Sequence, residues 1–244
     1  VPRPGRPLPG AVVLVVGELA RYIVGAKPLG KVEMPRFPTV LAAIWAASGA
    51  PAQDVAGDFD YYVLSLSWSP NWCALEGDAR GSPQCGADAG FGWTMHGLWP
   101  QDEVGWPQDC ASDHAPPSRE ATAAMADIMG TGGLAWYQWN RHGACSGLSP
   151  QDYFALARAA YDAVVRPEVF RVLERDVTLP ARIVEEAFLR DNPDLSADGV
   201  TITCRDGYVQ EARICLTRDL APRDCGADVV RDCTLESAVF EAIR

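Results

Sequence analysis

Residues 92–101 read GWTMHGLWPQ, and residues 136–145 read WYQWNRHGAC. The first stretch sets His96 between a strand-like run over 92–99 and a Trp-Pro turn. The second sets His142 at the end of a helix through LAWYQWNRHG that stops near Gly143. One histidine thus rides on sheet and the other on helix. The flanks decide how the two kinds of element are arranged.

Upstream, residues 58–70 (DFDYYVLSLSWSP) predict a first strand, because Tyr62, Leu64, Leu66 and Trp68 alternate with Tyr61, Val63, Ser65 and Ser67. Residues 71–90, rich in Gly, Asp, Ala and Pro, read as a loop that a local Cys73–Cys85 disulfide would staple. Downstream, SREATAAMADIM (118–129) predicts a helix capped by Ser118 and broken by Gly130, Gly132 and Gly133. A later helix opens at Ser149-Pro150, with serine as cap and proline at the first helical position. More helix is expected at 167–175 and 180–190. Strands return at 200–204 and 208–216 around Arg205-Asp206-Gly207, since Asp-Gly is a strong hairpin turn. Strands, then helices, then strands predict an α+β fold rather than repeated βαβ units.

The chain has 244 residues, 48% hydrophobic and 22% charged, enough for one packed domain. No run reaches the roughly 18 apolar residues of a membrane span. All eight cysteines fall from Cys73 onward, in even number and without CxxC spacing, which predicts an oxidising compartment and four disulfides. From Met34 the sequence MPRFPTVLAAIWAASGAPAQ offers a positive end at Arg36, a short apolar run and a small-x-small site at Ala50-Pro51-Ala52. Residues 34–52 are therefore expected to be a signal peptide, 1–33 an upstream segment outside the functional protein, and 53–244 the working domain, periplasmic or secreted. Six of the 21 basic and two of the 32 acidic residues lie before Gln53. Residues 53–244 are left with 15 arginines, no lysine, 30 acidic groups and a net charge of −15. Such a surface repels nucleic acid at long range, which argues against a DNA-coating protein. It leaves room for an enzyme with a small positive site that works in acid or on short substrates.

Only three histidines are present, His96, His114 and His142. His114, in ASDHAPP, reads as an exposed loop residue. Gln138, Arg141 and His142, spaced i, i+3 and i+4, share a helix face, where an amide, a guanidinium and an imidazole together can hold an anion. RNA cleavage needs a base for the 2′-OH, an acid for the leaving 5′-oxygen and a cation for the phosphorane. Two imidazoles and an arginine supply these without metal or cofactor. Seven tryptophans lie between 68 and 139. Most are expected in the core, while one or two near the histidines could stack bases.

The segments WTMHGLWP (93–100) and WNRHGAC (139–145) resemble the two active-site motifs of the ribonuclease T2 family. LSWSPNWC (66–73), GWPQDC (105–110) and the stretches NPDL, VTITC and YVQEARIC within 192–215 are similar to further parts of that family, so the likeness covers roughly 58–235. It implies a central antiparallel sheet flanked by several helices, and endonucleolytic cleavage of single-stranded RNA through a 2′,3′-cyclic phosphate with little base specificity. It implies the bridges Cys110–Cys145, Cys204–Cys233 and Cys215–Cys225. The resemblance makes His142 the base and His96 the acid, with Arg141 and Gln138 beside them and Tyr137, Trp99 and Trp106 binding substrate. RNA is the expected partner of a monomer, with no protein partner and no membrane contact after processing. The chain departs from the family at Tyr137-Gln138-Trp139, where members commonly read His-Glu-Trp, and at Arg141, where lysine is usual. An amide cannot titrate, so an inactive or weakened RNA-binding protein on the same fold is the alternative.

Overall fold

The computed structural model describes residues 54–244; the expected upstream segment and signal peptide lie outside them. The framework is a six-stranded sheet. Its strands are β1 (Tyr61–Trp68), β2 (Trp93–Gln101), β3 (Val177–Leu179), β4 (Val200–Arg205), β5 (Tyr208–Leu216) and β6 (Ala238–Phe240). The order is β2-β1-β5-β6-β3, with β4 on β5. All pairings are antiparallel except a short parallel contact of β5 with β6 at Tyr208 and Val239. The helices are α1 (Ser69–Trp72), α2 (Arg119–Ala123), α3 (Ala126–Met129), α4 (Gly132–Arg141), α5 (Pro150–Ala163) and α6 (Arg182–Asp191). The α+β class read from the sequence is the one observed.

Alternation in the strands divides the molecule. Tyr62, Leu64, Leu66 and Trp68 of β1 join Ala212 and Ile214 of β5 in the main core, where Trp68, Trp93, Phe170, Phe188 and Phe240 form an aromatic cluster. The opposite face is not given over to solvent. Tyr61, Val63, Cys215 and Val229 make a second, smaller apolar cluster there, and Ser65 is buried beside it. Beyond that cluster the same face turns polar, and it carries the candidate site. At the end of β1, the buried Asn71 donates to the carbonyls of Val209 (2.7 Å) and Val239 (3.0 Å) and accepts from the Glu241 amide (2.8 Å). It thereby ties β1 to β5 and β6 where their own ladders stop.

Several local expectations need correction. Residues 71–90 are not plain loop: α1, a π-turn over Cys73–Gly77 and a 3₁₀ turn over Pro83–Cys85 occupy much of it, with Pro70 and Pro83 in first-turn positions. The helix over 118–129 is two helices, interrupted at Met125, whose backbone lies near φ −90°, ψ −5°. Residues 167–175 hold only a 3₁₀ turn over Glu168–Phe170. Phe170 is buried while Val169 and Val172 face solvent, so no continuous apolar face rewards a longer helix there. The short β3 and β6 carry too few residues to show a period. At the β4–β5 turn, Asp206 and Gly207 both take positive φ (51° and 87°), the type I′ geometry that suits a two-residue hairpin.

Disulfides join Cys73 to Cys85, Cys110 to Cys145, Cys204 to Cys233 and Cys215 to Cys225. The second ties the loop after β2 to the turn that follows His142.

Candidate active site

The position of His96 follows from a fault in the sheet register. Along β1 and β2, Ser65 pairs with Gly97, but Leu66 pairs with Met95, so His96 is an extra residue in a β-bulge. A bulge switches the alternation of the strand. Before it, Trp93 and Met95 point into the main core; after it, Leu98 does. His96, Trp99 and Gln101 consequently line one cleft. A second bulge lies on the other neighbour of β1: across β4 and β5, Thr203 pairs with Glu211 and Cys204 with Val209, which leaves Gln210 unpaired. Val209 therefore stays in the core, while Glu211 turns to the face of His96.

There His96 Nδ1 and Glu211 Oε1 are 2.5 Å apart. The other carboxylate oxygen, Oε2, accepts from Arg213 Nε (2.9 Å) and Nη2 (2.7 Å). Glu211 is only 2% exposed. Burial pushes its carboxyl up, but the hydrogen bond and charge of His96, followed by those of Arg213, outweigh burial and hold it at about 2. A carboxylate only accepts, so the His96 Nδ1 carries the proton of this hydrogen bond.

His142 arrives from the helical side. Thr131 caps α4 by accepting from the Leu134 amide at 3.1 Å, and the helix ends at Arg141. His142 is its C-cap, outside helical geometry (φ −128°, ψ −46°), and Gly143 continues into a 3₁₀ turn. A Cβ at Gly143 would press on the rings of Tyr153 (2.8 Å) and Trp139 (2.9 Å), so glycine lets the chain turn against buried aromatics. The Nδ1 of His142 is buried without a hydrogen-bond partner among the described residues. Burial pushes its pKa down to about 4, aided by the charges of Arg141 and His96.

Trp99 stands between the two histidines, its ring 5.2 Å from that of His96 and 5.4 Å from that of His142. Its indole Nε1 donates to Gln138 Oε1 at 2.7 Å. An indole can only donate, so the amide oxygen of Gln138 must face Trp99 and its NH2 group turns the other way. Gly97 makes this hydrogen bond possible: a Cβ there would collide with Trp99 Nε1 and Gln138 Oε1.

The sequence-selected residues come together in the structure. His96, Trp99, Trp106, Tyr137, Gln138, Arg141 and His142 all line a cleft of about 410 Å³, while His114 lies exposed in a loop away from it. Gln138 is buried, at 2% exposure, whereas Trp106 and Tyr137 are more than half exposed at the rim. Arg141 forms an ion pair with Asp109 across the cleft edge. Tyr137 and His96 also border a neighbouring cavity of about 560 Å³. Sequence reasoning missed Glu211 and Arg213. Their signal was present, two charged residues in the strand-like run YVQEARICL, but the histidine that Glu211 meets lies 115 positions away. Among the described residues, Cys73, Asp78 and Cys85 are grouped as metal-ligating types, but the two sulfurs are joined in a disulfide.

The sequence model of the ribonuclease T2 family matches residues 59–225. A ribonuclease of Aeromonas hydrophila is 40% identical over 118 residues, 48% of this chain and 52% of that protein. A probable ribonuclease of Haemophilus influenzae is 32% identical over 136 residues, 51% of this chain and 49% of that one. The chain thus spans about half the length of these two relatives. Ribonuclease I of Escherichia coli is 27% identical over 207 residues, 67% of this chain and 77% of that protein. Among solved structures, that of trichomaglin, described as a novel S-like ribonuclease, superposes with a TM-score of 0.60 at 19% identity over 77% of this chain and all of that one. RNase NT in complex with 5′-AMP gives 0.56 at 19% identity over 75% of this chain and 98% of that one. These two likenesses speak for the fold.

Proposed function

This chain belongs to the ribonuclease T2 family, and on that premise we propose that its domain is an endoribonuclease that cleaves single-stranded RNA by transesterification without a metal ion. The observation that carries the reading is the opposite surroundings of two imidazoles on one cleft. His142, buried beside Arg141, holds no proton above about pH 4 and can take one from a 2′-OH. His96 meets a buried carboxylate through Nδ1, which leaves Nε2 to give a proton to the departing 5′-oxygen. The 2′-oxygen attacks phosphorus, the bond to the 5′-oxygen breaks, and a 2′,3′-cyclic phosphate results. Water then reverses the two proton transfers and opens the ring to a 3′-phosphate.

The negative charge on the phosphorane falls to Arg141, to the Gln138 NH2 and to the Tyr137 hydroxyl. Arg141 must share its guanidinium between Asp109 and phosphate, which its several donors allow. Trp106 offers a free aromatic face for the upstream base. Trp99, held to Gln138 and packed between both histidines, acts as a spacer rather than a platform. Stacking of this kind tolerates any base, in keeping with low specificity. RNase NT holds 5′-AMP in its solved complex, and a nucleotide is the ligand expected here too. The four disulfides support a periplasmic or secreted location. Among the described residues, no helix is long and apolar enough to cross a membrane.

One observation favours binding without cleavage: among the described residues, no carboxylate or other partner is hydrogen-bonded to the buried His142 Nδ1 to orient it. A single experiment separates the readings. The purified disulfide-bonded protein is incubated with RNA in the presence of EDTA, beside His96→Ala and His142→Ala. Cyclic-phosphate products from the parent alone support the enzyme. RNA retained intact by all three supports the binding protein.

A further inference from the structure

We propose that Glu211 is the positioning residue of the acid, fixing His96 in the Nδ1–H form with Nε2 turned to the substrate, and that Arg213 holds Glu211 in place. This rests on the ribonuclease reading above and adds a residue outside both histidine motifs.

Position 138, next to the base, carries an amide, so no titrating carboxylate comes from that helix. The structure supplies one to the other histidine, from β5. The two oxygens of Glu211 are divided: Oε1 meets His96 Nδ1, and Oε2 takes both donors of the Arg213 fork. With Oε2 taken by Arg213, the oxygen left to His96 is Oε1, and it meets the ring at Nδ1. His96 Nε2 is then the nitrogen left to bear the transferable proton. In the cleavage step Nε2–H gives its proton to the 5′-oxygen as the P–O bond breaks, while the Nδ1 proton remains on the imidazole, facing Glu211. The product histidine is neutral and ready to be reprotonated at Nε2 by the incoming water.

Arg213 does more than neutralise. Its guanidinium lies 5.5 Å from the centre of the Trp99 ring, and Trp99 in turn fixes Gln138. Acid, spacer and amide are thereby joined in one connected set. The other charged or titratable groups lining the two cavities at His96 are Glu76 and Arg80 from the turn after β1, Tyr137 and Arg141 from α4, His142, and Asp228 from the segment before β6. Glu76 is already paired with Arg80 and Arg205, and none of these groups is hydrogen-bonded to the His96 ring as Glu211 is.

Glu211→Gln tests the proposal. The substituted amide has one oxygen, which Arg213 demands. Its NH2 would then face His96 Nδ1 and force the ring into the opposite tautomer, with the neutral ring's one proton on Nε2. The expected result on a dinucleoside phosphate is a fall in kcat of about 10–100-fold with KM nearly unchanged. Glu211→Asp, which keeps the charge, should recover part of the loss. A folded Glu211→Gln protein with the parent's kcat would overturn the proposal. Should that variant not fold, ¹⁵N spectra of histidine in the unaltered protein decide: neutral His96 protonated on Nδ1 supports the role, and protonation on Nε2 ends it. The spectral test needs no turnover, so it stands even if the parent cleaves no RNA.

Discussion

At the scale of single residues, the two imidazoles make distinct predictions. Replacing either by alanine should lower the rate at least about 10²–10⁴-fold, the usual share of a positioned acid or base. With His142 held at about 4, the acid limb of the parent's rate profile should fall near pH 4, well below an ordinary histidine. Initial rates on a short oligonucleotide from pH 3 to 9 would show it, and a limb near 6.5 would contradict the buried environment described for His142. Gly97→Ala should be costly although no functional atom is removed. Its methyl would drive Trp99 from Gln138 and so disturb both imidazoles, giving a fall in kcat that exceeds the loss of thermal stability. Trp106→Ala should instead raise KM, since stacking contributes about 1–3 kcal/mol per base. Both histidines and Arg141 were legible because they sit in short, unusual local sequences, and Trp106 through the family resemblance. Glu211 was not, because a buried glutamate in a strand acquires meaning only from what the sheet lays beside it.

At the scale of elements, the helix starts that sequence reasoning fixed are those with a serine cap. Ser149 and Pro150 open α5 and Ser118 opens α2, each serine accepting an amide hydrogen bond as expected. The cap of α4, Thr131, is hidden in a glycine-rich stretch and escaped notice, yet it fixes the helix that delivers Gln138. Thr131→Ala should reduce stability by about 1 kcal/mol in urea unfolding, with no change in the shape of the pH profile. The strands were found through their period, but their two bulges were not. In β2 the clue is that core residues fall at Trp93, Met95 and then Leu98, a step of three where a regular strand takes two. A single extra residue leaves the composition of a strand untouched, which is why it is easily overlooked.

At the scale of the whole molecule, acid works against the fold. His142 is neutral in the folded protein down to about pH 4, whereas the unfolded chain takes up that proton near 6.5. Below 6.5 protons therefore favour unfolding, and stability declines as pH falls from about 6.5 to about 4. Glu211 acts later. Its folded carboxylate persists to about 2 against an ordinary value of 4.5, so its contribution, full above 4.5, is lost as pH drops toward 2. Urea midpoints at pH 7, 5 and 3 should fall in that order, and His142→Phe should flatten the first interval. The bridge Cys110–Cys145 guards against this loss close to the site. Replacing both cysteines by alanine should reduce stability by about 2–4 kcal/mol and depress activity further by freeing the turn after His142.

The bulge at His96 divides β2 into two frames. Ahead of it odd-numbered positions face inward; after it even-numbered positions do. The same residues laid out as a regular strand, without the bulge, would exchange every side chain downstream of it, sending Trp99 into the core and Leu98 out to water. The face that each later position of β2 takes is therefore set by the one unpaired residue at His96 and not by the side chains themselves.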